Sequence, residues 1–272
     1  MNGEGRVNTM VSPVVLMYHR VCRDEAWRPS AFVVTLTAFR RQMSWLARHG
    51  YYTPRVSDVL SDGGRAPCVV GRPVVLTFDD GYADVLENAV PVLRAFGFTA
   101  AVLPVLDLER RFNHWDDAPE LKGPLLALDQ LRDLEKAGLE LGSHTVTHAR
   151  LTRAGDDALA WELARSREVL AAIAARPLPV LAYPYGDVDG RVKEAARAAG
   201  YEAALAVNSG PLDWRADAFE IRRQRVGSVS SDAYLRLILS GAEKLYAWSK
   251  WKVRCGIASM TRHGSAPALR GE

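Results

Sequence analysis

VVLTFDDGYAD, residues 74–84, sets two adjacent carboxylates, Asp79 and Asp80, at the end of an apolar run. Neighbours on an extended strand point to opposite faces, so these two share a site only if the strand stops with them. Gly81 supplies the stop, because glycine tolerates backbone conformations closed to other residues. At such a strand-to-loop turn both carboxylates reach one rim, where their repulsion must be offset by a cation or a shared proton. The first expectation is therefore a metal ion at the end of a strand.

Outward from this stretch, apolar runs of strand length (14–18, 73–78, 99–103, 139–142, 178–182 and 203–207) alternate with segments of helical period (37–48, 83–96, 128–137, 156–175 and 190–199). That alternation predicts a parallel α/β fold, with a further helix after Ser230. In the segment 156–175, Leu159, Leu163, Leu170 and Ile173 recur at helical spacing and are expected to face the core. The insertion 107–123, centred on RRFNHWDDAPELKG, follows a strand and belongs at the ligand-binding rim. We expect residues 1–12 as a flexible N-terminus, 13–242 as one barrel domain and 243–272 as a C-terminal helix and tail.

Bulk properties narrow the function. With 272 residues and 48% hydrophobic content, one domain with a large core is expected. A net charge of +3 without like-charge blocks argues against a nucleic-acid partner. Cys22, Cys68 and Cys255 are odd in number and widely spaced, which predicts neither a disulfide framework nor a cysteine zinc site and fits a reducing compartment. The first residues carry no apolar stretch of signal-peptide or membrane-span character, so the expected location is cytoplasmic. Near the other end, EKLYAWSKWKVR, residues 243–254, mixes basic and aromatic residues at near-helical spacing. It reads as a helix packed on the barrel or as a weak contact with an acidic membrane surface.

Three more motifs carry chemistry. GSHTVTHA, residues 142–149, places His144 and His148 at i and i+4, on one face of an expected helix that Ser143 is suited to cap. Such a pair alone is commonly a surface or core feature. With a carboxylate from the Asp-Asp turn it forms the facial arrangement that holds a divalent ion and leaves positions open. AYPYG, residues 182–186, follows another strand and makes a sharp turn able to aim a backbone N–H, although alone it reads as a structural turn. LMYHRV, residues 16–21, puts His19 at the end of the first strand, on the same rim; an isolated histidine there is usually a packing residue.

TFDDG, SHxxxH and PYG, in this order after successive strands, resemble the leading motifs of the polysaccharide deacetylases, carbohydrate esterase family four, over residues 14–226. The resemblance implies a distorted (β/α) barrel with fewer than eight parallel strands. It also implies removal of acetyl groups from N-acetylated, sometimes O-acetylated, sugars by a water that a divalent metal activates. Zinc is the first expectation for the metal, with cobalt and nickel as alternatives. On the matching positions, Asp79 is the base, Asp80, His144 and His148 are the metal ligands, and the Tyr185 backbone N–H helps to bind the oxyanion.

Two departures shape the remaining assignments. The family's late histidine motif is absent, since only His263 follows His148. His19, kept protonated by nearby carboxylates, is expected to act as the acid instead, as in the exported poly-N-acetylglucosamine deacetylases. The arginine that usually precedes PYG is replaced by Val180, Leu181 and Ala182. In the strand-like run FEIRRQRV, residues 219–226, Arg223 is the candidate to orient Asp79, with a solvated surface charge as the alternative. The expected partner is an acetylated sugar or a lipid- or nucleotide-linked glycan precursor. The rivals are a catalytically inactive carbohydrate-binding barrel and a metallohydrolase of another bond, such as a different C–N amide or a phosphoester.

Overall fold

In the computed structural model, which describes residues 12–23, 30–67, 70–207, 209–227 and 230–240, the run around Asp79 is a strand buried on both faces from Val74 onward. A strand covered on both faces is the mark of a parallel sheet with helices outside it. The chain order is β1 Val14–Tyr18, β2 Arg20–Cys22, β3 Val33–Thr35, α1 Leu36–Arg48, β4 Tyr51–Tyr52, α2 Val56–Ser61 and β5 Arg72–Asp80. There follow α3 Val90–Phe96, β6 Ala101–Pro104, α4 Leu128–Lys136, β7 Glu140–Ser143, α5 Asp156–Ile173, β8 Pro177–Ala182, α6 Gly190–Ala198, β9 Ala203–Val207, β10 Ile221–Arg225 and α7 Asp232–Leu239. The segment 243–254 lies outside the described residues, as do residues 1–11. No described helix is long and apolar enough to cross a membrane.

β1 pairs with β10 on one side and with β5 on the other, which closes the sequence β1-β10-β9-β8-β7-β6-β5 into a barrel of seven parallel strands. β4 pairs only with the start of β5, and β2 with β3 in a separate two-stranded sheet. Alternation along the strands sorts the side chains. Val15, Val75, Ala101, Leu103, Val180, Ala203, Leu205 and Ile221 fill the interior, together with Trp214, whose indole N–H donates to the Pro13 carbonyl at 3.2 Å. Leu16, Leu76, Phe78, Val102 and Leu141 point outward, against Phe39, Met43 and Leu46 of α1, Leu93 of α3 and Leu131 and Leu134 of α4. Leu159 and Leu163 of α5 meet Leu181 and Ala204 of the sheet in a second outer cluster.

The strands expected at 14–18 and 203–207 match β1 and β9 residue for residue, and the others shift by one or two residues at their ends. The helix expected over 83–96 is broken in register: Val85–Ala89 forms a π turn and the α-helix begins at Val90. Pro91 explains this, since it has no N–H to give to the preceding turn. β2, β3, β4 and α2 were not expected, being too short to carry a hydrophobic period. α2 has its own anchor: the buried Glu140 carboxylate of β7 accepts from the Val56 and Ser57 N–H groups at 2.6 and 3.1 Å.

Candidate active site

The carboxyl ends of the strands meet at one rim, and Asp79 and Asp80 lie there 1% and 3% exposed. On β5, Val75, Thr77 and Asp79 share the inward phase, so a regular strand would turn Asp80 outward. It does not, because Asp80 takes φ +69° and Gly81 φ +82°. Only glycine fits at 81: an added Cβ would stand 2.7 Å from Cβ of Pro104. The turn brings both carboxylates to the mouth but gives them opposite partners. Asp79 receives both arms of the fully buried Arg223, Nη1 to Oδ1 at 2.6 Å and Nη2 to Oδ2 at 2.7 Å. Burial pushes the Asp79 carboxyl up, but Arg223, His144 and His19 outweigh it and hold it below its ordinary range. Burial and the Asp79 charge push Asp80 well above that range.

His144 and His148 converge on Asp80, but not from a helix. β7 ends at Ser143, and the next residues form an irregular loop with Thr145 at φ +66° and His148 at φ +62°. Two left-handed residues within four positions are incompatible with a right-handed helix. Ser143 does not cap one; its hydroxyl instead accepts from Thr145 N at 3.2 Å. The rest of the loop is held by the buried Glu162 of α5, which accepts from Val146 N at 2.8 Å, Thr147 N at 3.1 Å and the Thr147 hydroxyl.

Both imidazole Nε2 atoms lie 3.5 Å from Asp80 Oδ1, and the three potential ligand atoms fall within 4.8 Å of one another. His144 Nδ1 donates to the Ala182 carbonyl at 2.8 Å, which leaves the Nε2 lone pair facing the site. His148 is set by packing instead. Trp115 stacks on its ring at 4.7 Å and Tyr185 meets it edge-on at 4.5 Å. Burial pushes both histidines below their ordinary range, so both are neutral. Asp80 Oδ1 is buried and has no hydrogen-bond partner among the described residues. Two neutral imidazoles converging on an orphaned carboxylate oxygen form a donor set that fits a divalent cation.

His19 follows β1 and lines the same cleft, a cavity of about 260 Å³ that also exposes Asp79, Asp80, His144, His148 and Tyr185. The expectation that neighbouring carboxylates keep it protonated is not met. Burial pushes its pKa down to about 4; Asp79 opposes this only in part, while Arg223, His144 and Arg225 add to the fall. The attraction is weak because Arg223 already neutralises Asp79. Tyr185 forms the PYG turn with φ +59°, and its ring lies under the Arg150 guanidinium at 3.8 Å. Asp80, Thr145, His148 and Tyr185 are the non-glycine residues of positive φ among those described, and all four stand at this rim. Such conformations are costly and concentrate where function holds them in place.

Several contributors were not singled out from the sequence. Trp115 lies in an insertion that has no periodicity to expose it. Glu162 reads as one more charge on a helix. Arg225 had a signal, since it lies two residues beyond Arg223 on the same strand phase.

Residues 67–204 match the family model for polysaccharide deacetylase. This chain belongs to the polysaccharide deacetylase family. Its members are hydrolases of acetyl groups, and the protein is an enzyme of that class. YxkH of Bacillus subtilis (strain 168), assigned by name to the polysaccharide deacetylases, is 24% identical over 214 residues, covering 78% of this chain and 70% of that one. The poly-beta-1,6-N-acetyl-D-glucosamine N-deacetylase of Escherichia coli (strain K12) is 25% identical over 236 residues, 72% of this chain but only 34% of that protein. In fold, the chain resembles the Streptococcus pyogenes deacetylase PplD, solved in complex with acetate, with a TM-score of 0.71 at 23% identity over 85% of this chain and 99% of that one. The de-N-acetylase of Aggregatibacter actinomycetemcomitans gives 0.70 at 20% identity, over 83% and 99%.

Proposed function

We propose that the protein removes the N-acetyl group from an amino sugar within a glycan or glycan precursor, using a divalent ion held by Asp80, His144 and His148. The observation that carries this reading is the orphaned Asp80 oxygen between two neutral imidazoles, beside a carboxylate held ionised by Arg223. Zinc suits an Asp-His-His donor set, and cobalt and nickel suit it as well. When bound there, the ion supplies Lewis acidity, which makes water more acidic and the acetyl carbonyl more electrophilic.

The chain's own groups divide the remaining work. Asp79, ionised and fixed by Arg223, accepts the proton of the attacking water through a carboxylate lone pair the guanidinium leaves open. The Tyr185 backbone N–H donates to the oxyanion, an interaction whose loss costs about 3 kcal/mol. His19 starts neutral; negative charge growing beside it raises its proton affinity, so it takes up the proton that Asp79 removed from water and passes it to the departing amine. The inactive-barrel reading rests on the missing arginine before PYG and the missing late histidine; Arg223 from β10 and His19 after β1 stand at the site in their place.

The test is acetate release from a small activated acetate ester by chelated protein, by protein restored with zinc or cobalt, and by Asp80→Ala. Activity should vanish with the chelator, return with metal and stay absent in the variant. Turnover that ignores both chelator and variant would sink the proposal. Acetate release from N-acetylated against O-acetylated sugars then fixes the bond cleaved.

A further inference from the structure

Arg223 and Arg225 are two residues apart on β10, so both side chains enter the barrel mouth in the same phase, about 7 Å apart along the strand. Arg223 pairs in register with Val15 of β1 and Arg225 with Met17, one step nearer the rim. Arg223 is committed to Asp79. Arg225 has no comparable partner: among the described residues it makes no ion pair, and its Nε is buried without a hydrogen-bond acceptor. It lines the cleft beside His19.

The acids of the cleft do not supply the missing acceptor. Asp79 is bound by Arg223, Asp80 faces the two histidines, and Asp116 makes no ion pair with Arg225. The other arginine of the cleft, Arg150, is bonded to Asp187 at 2.9 Å. Arg225 does rest on Phe32, with Cζ 5.0 Å from the ring centroid. A cation–π contact of this kind uses none of the guanidinium's N–H groups as donors to an oxygen. A guanidinium drawn into a cleft and left without an ion-pair partner is costly unless something binds it. Its fork of donors matches the oxygens of a phosphate or a carboxylate.

We propose that Arg225 is a substrate-binding residue that pairs with an oxyanion group carried on, or next to, the acetylated sugar. The preferred substrate is then an anionic amino-sugar derivative rather than a neutral polymer. This rests on the deacetylase reading, which places the sugar in this cleft.

The experiment is calorimetric binding of three product sugars to the zinc-loaded full chain: methyl glucosaminide, glucosamine 1-phosphate and muramic acid. All are already deacetylated, so turnover does not interfere. At least one anionic sugar should bind about tenfold more tightly than the neutral one, the scale of a charge-assisted pair. Arg225→Gln should reduce that advantage to about twofold or less, and Arg225→Lys should keep part of it by retaining the charge without the fork. Preference for the phosphate or for muramic acid identifies the oxyanion. Equal binding of all three sugars by the unmodified protein overturns the proposal. So does a preference that survives Arg225→Gln, since the metal itself would then be the anion's partner. Failure of the deacetylase reading shows separately, as absent metal-dependent ester hydrolysis in the same preparation.

Discussion

Asp79 and Asp80 are chemically identical neighbours with different partners: Asp79 takes both arms of Arg223, and Asp80 faces the two imidazoles. Asp79→Asn is expected to keep the metal, because position 79 is not among the proposed ligands, while turnover falls about 100- to 10,000-fold as the base is removed. Metal content and kcat measured on the same sample check both halves. The variant also leaves Arg223 buried without its carboxylate, so a stability loss of about 3–5 kcal/mol is expected in denaturant unfolding. His19 gives a pH prediction. Its folded pKa is about 4, below the ordinary value of about 6.5 in the unfolded chain, so between those values the unfolded state binds the extra proton. The His19 contribution to the stability of the metal-free protein, about 3 kcal/mol, should therefore be lost progressively as pH drops from about 6.5 to about 4. Urea midpoints across that range should show a smaller fall for His19→Gln; an unchanged slope would assign the effect to other groups.

Among the elements, α5 and the loop after β7 are coupled by one side chain. Glu162 stands outside the proposed ligand set, yet it takes the Val146 and Thr147 N–H groups and so shapes the turn that presents His148. Glu162→Ala is expected to weaken metal affinity about 10- to 100-fold, the range seen when groups supporting a ligand are lost. Competition with a chromophoric chelator measures this, and affinity equal to the parent's would make Glu162 a purely structural residue. Helices with a clear apolar period are legible in the sequence, as Leu159, Leu163 and Leu170 of α5 illustrate. The HxxxH segment departs from its expected helix because i,i+4 spacing puts two side chains on one face only if the backbone is helical. Here Ser143, Thr145 and Glu162 hold the loop N–H groups in another arrangement, which no local pattern encodes.

For the whole molecule, barrel closure decides which distant residues meet. β5 and β10 are the two neighbours of β1, so Asp79 and Arg223 face each other across a separation of 144 residues. The proposed metal site joins three parts of the barrel: β5, the loop after β7 and, through the Ala182 carbonyl, β8. An ion bound only by the folded state should therefore stabilise the barrel, by about 2.7 kcal/mol when free metal is 100 times its dissociation constant. Thermal unfolding with and without zinc should show an upward shift that His144→Ala abolishes. A shift that persists in the variant would move the metal to a different site.

The sequence alone determined the alternation of strands and helices, the candidate metal-binding residues and the family, because these reside in local apolar period and in short motifs of fixed spacing. The barrel's closure, the pairing of Asp79 with Arg223, the neutral state of His19 and the place of Arg225 in the cleft were decided only by tertiary structure. Each depends on burial and on charges brought together from strands remote in the chain, and desolvation and Coulomb energy are set by distance in space rather than in sequence.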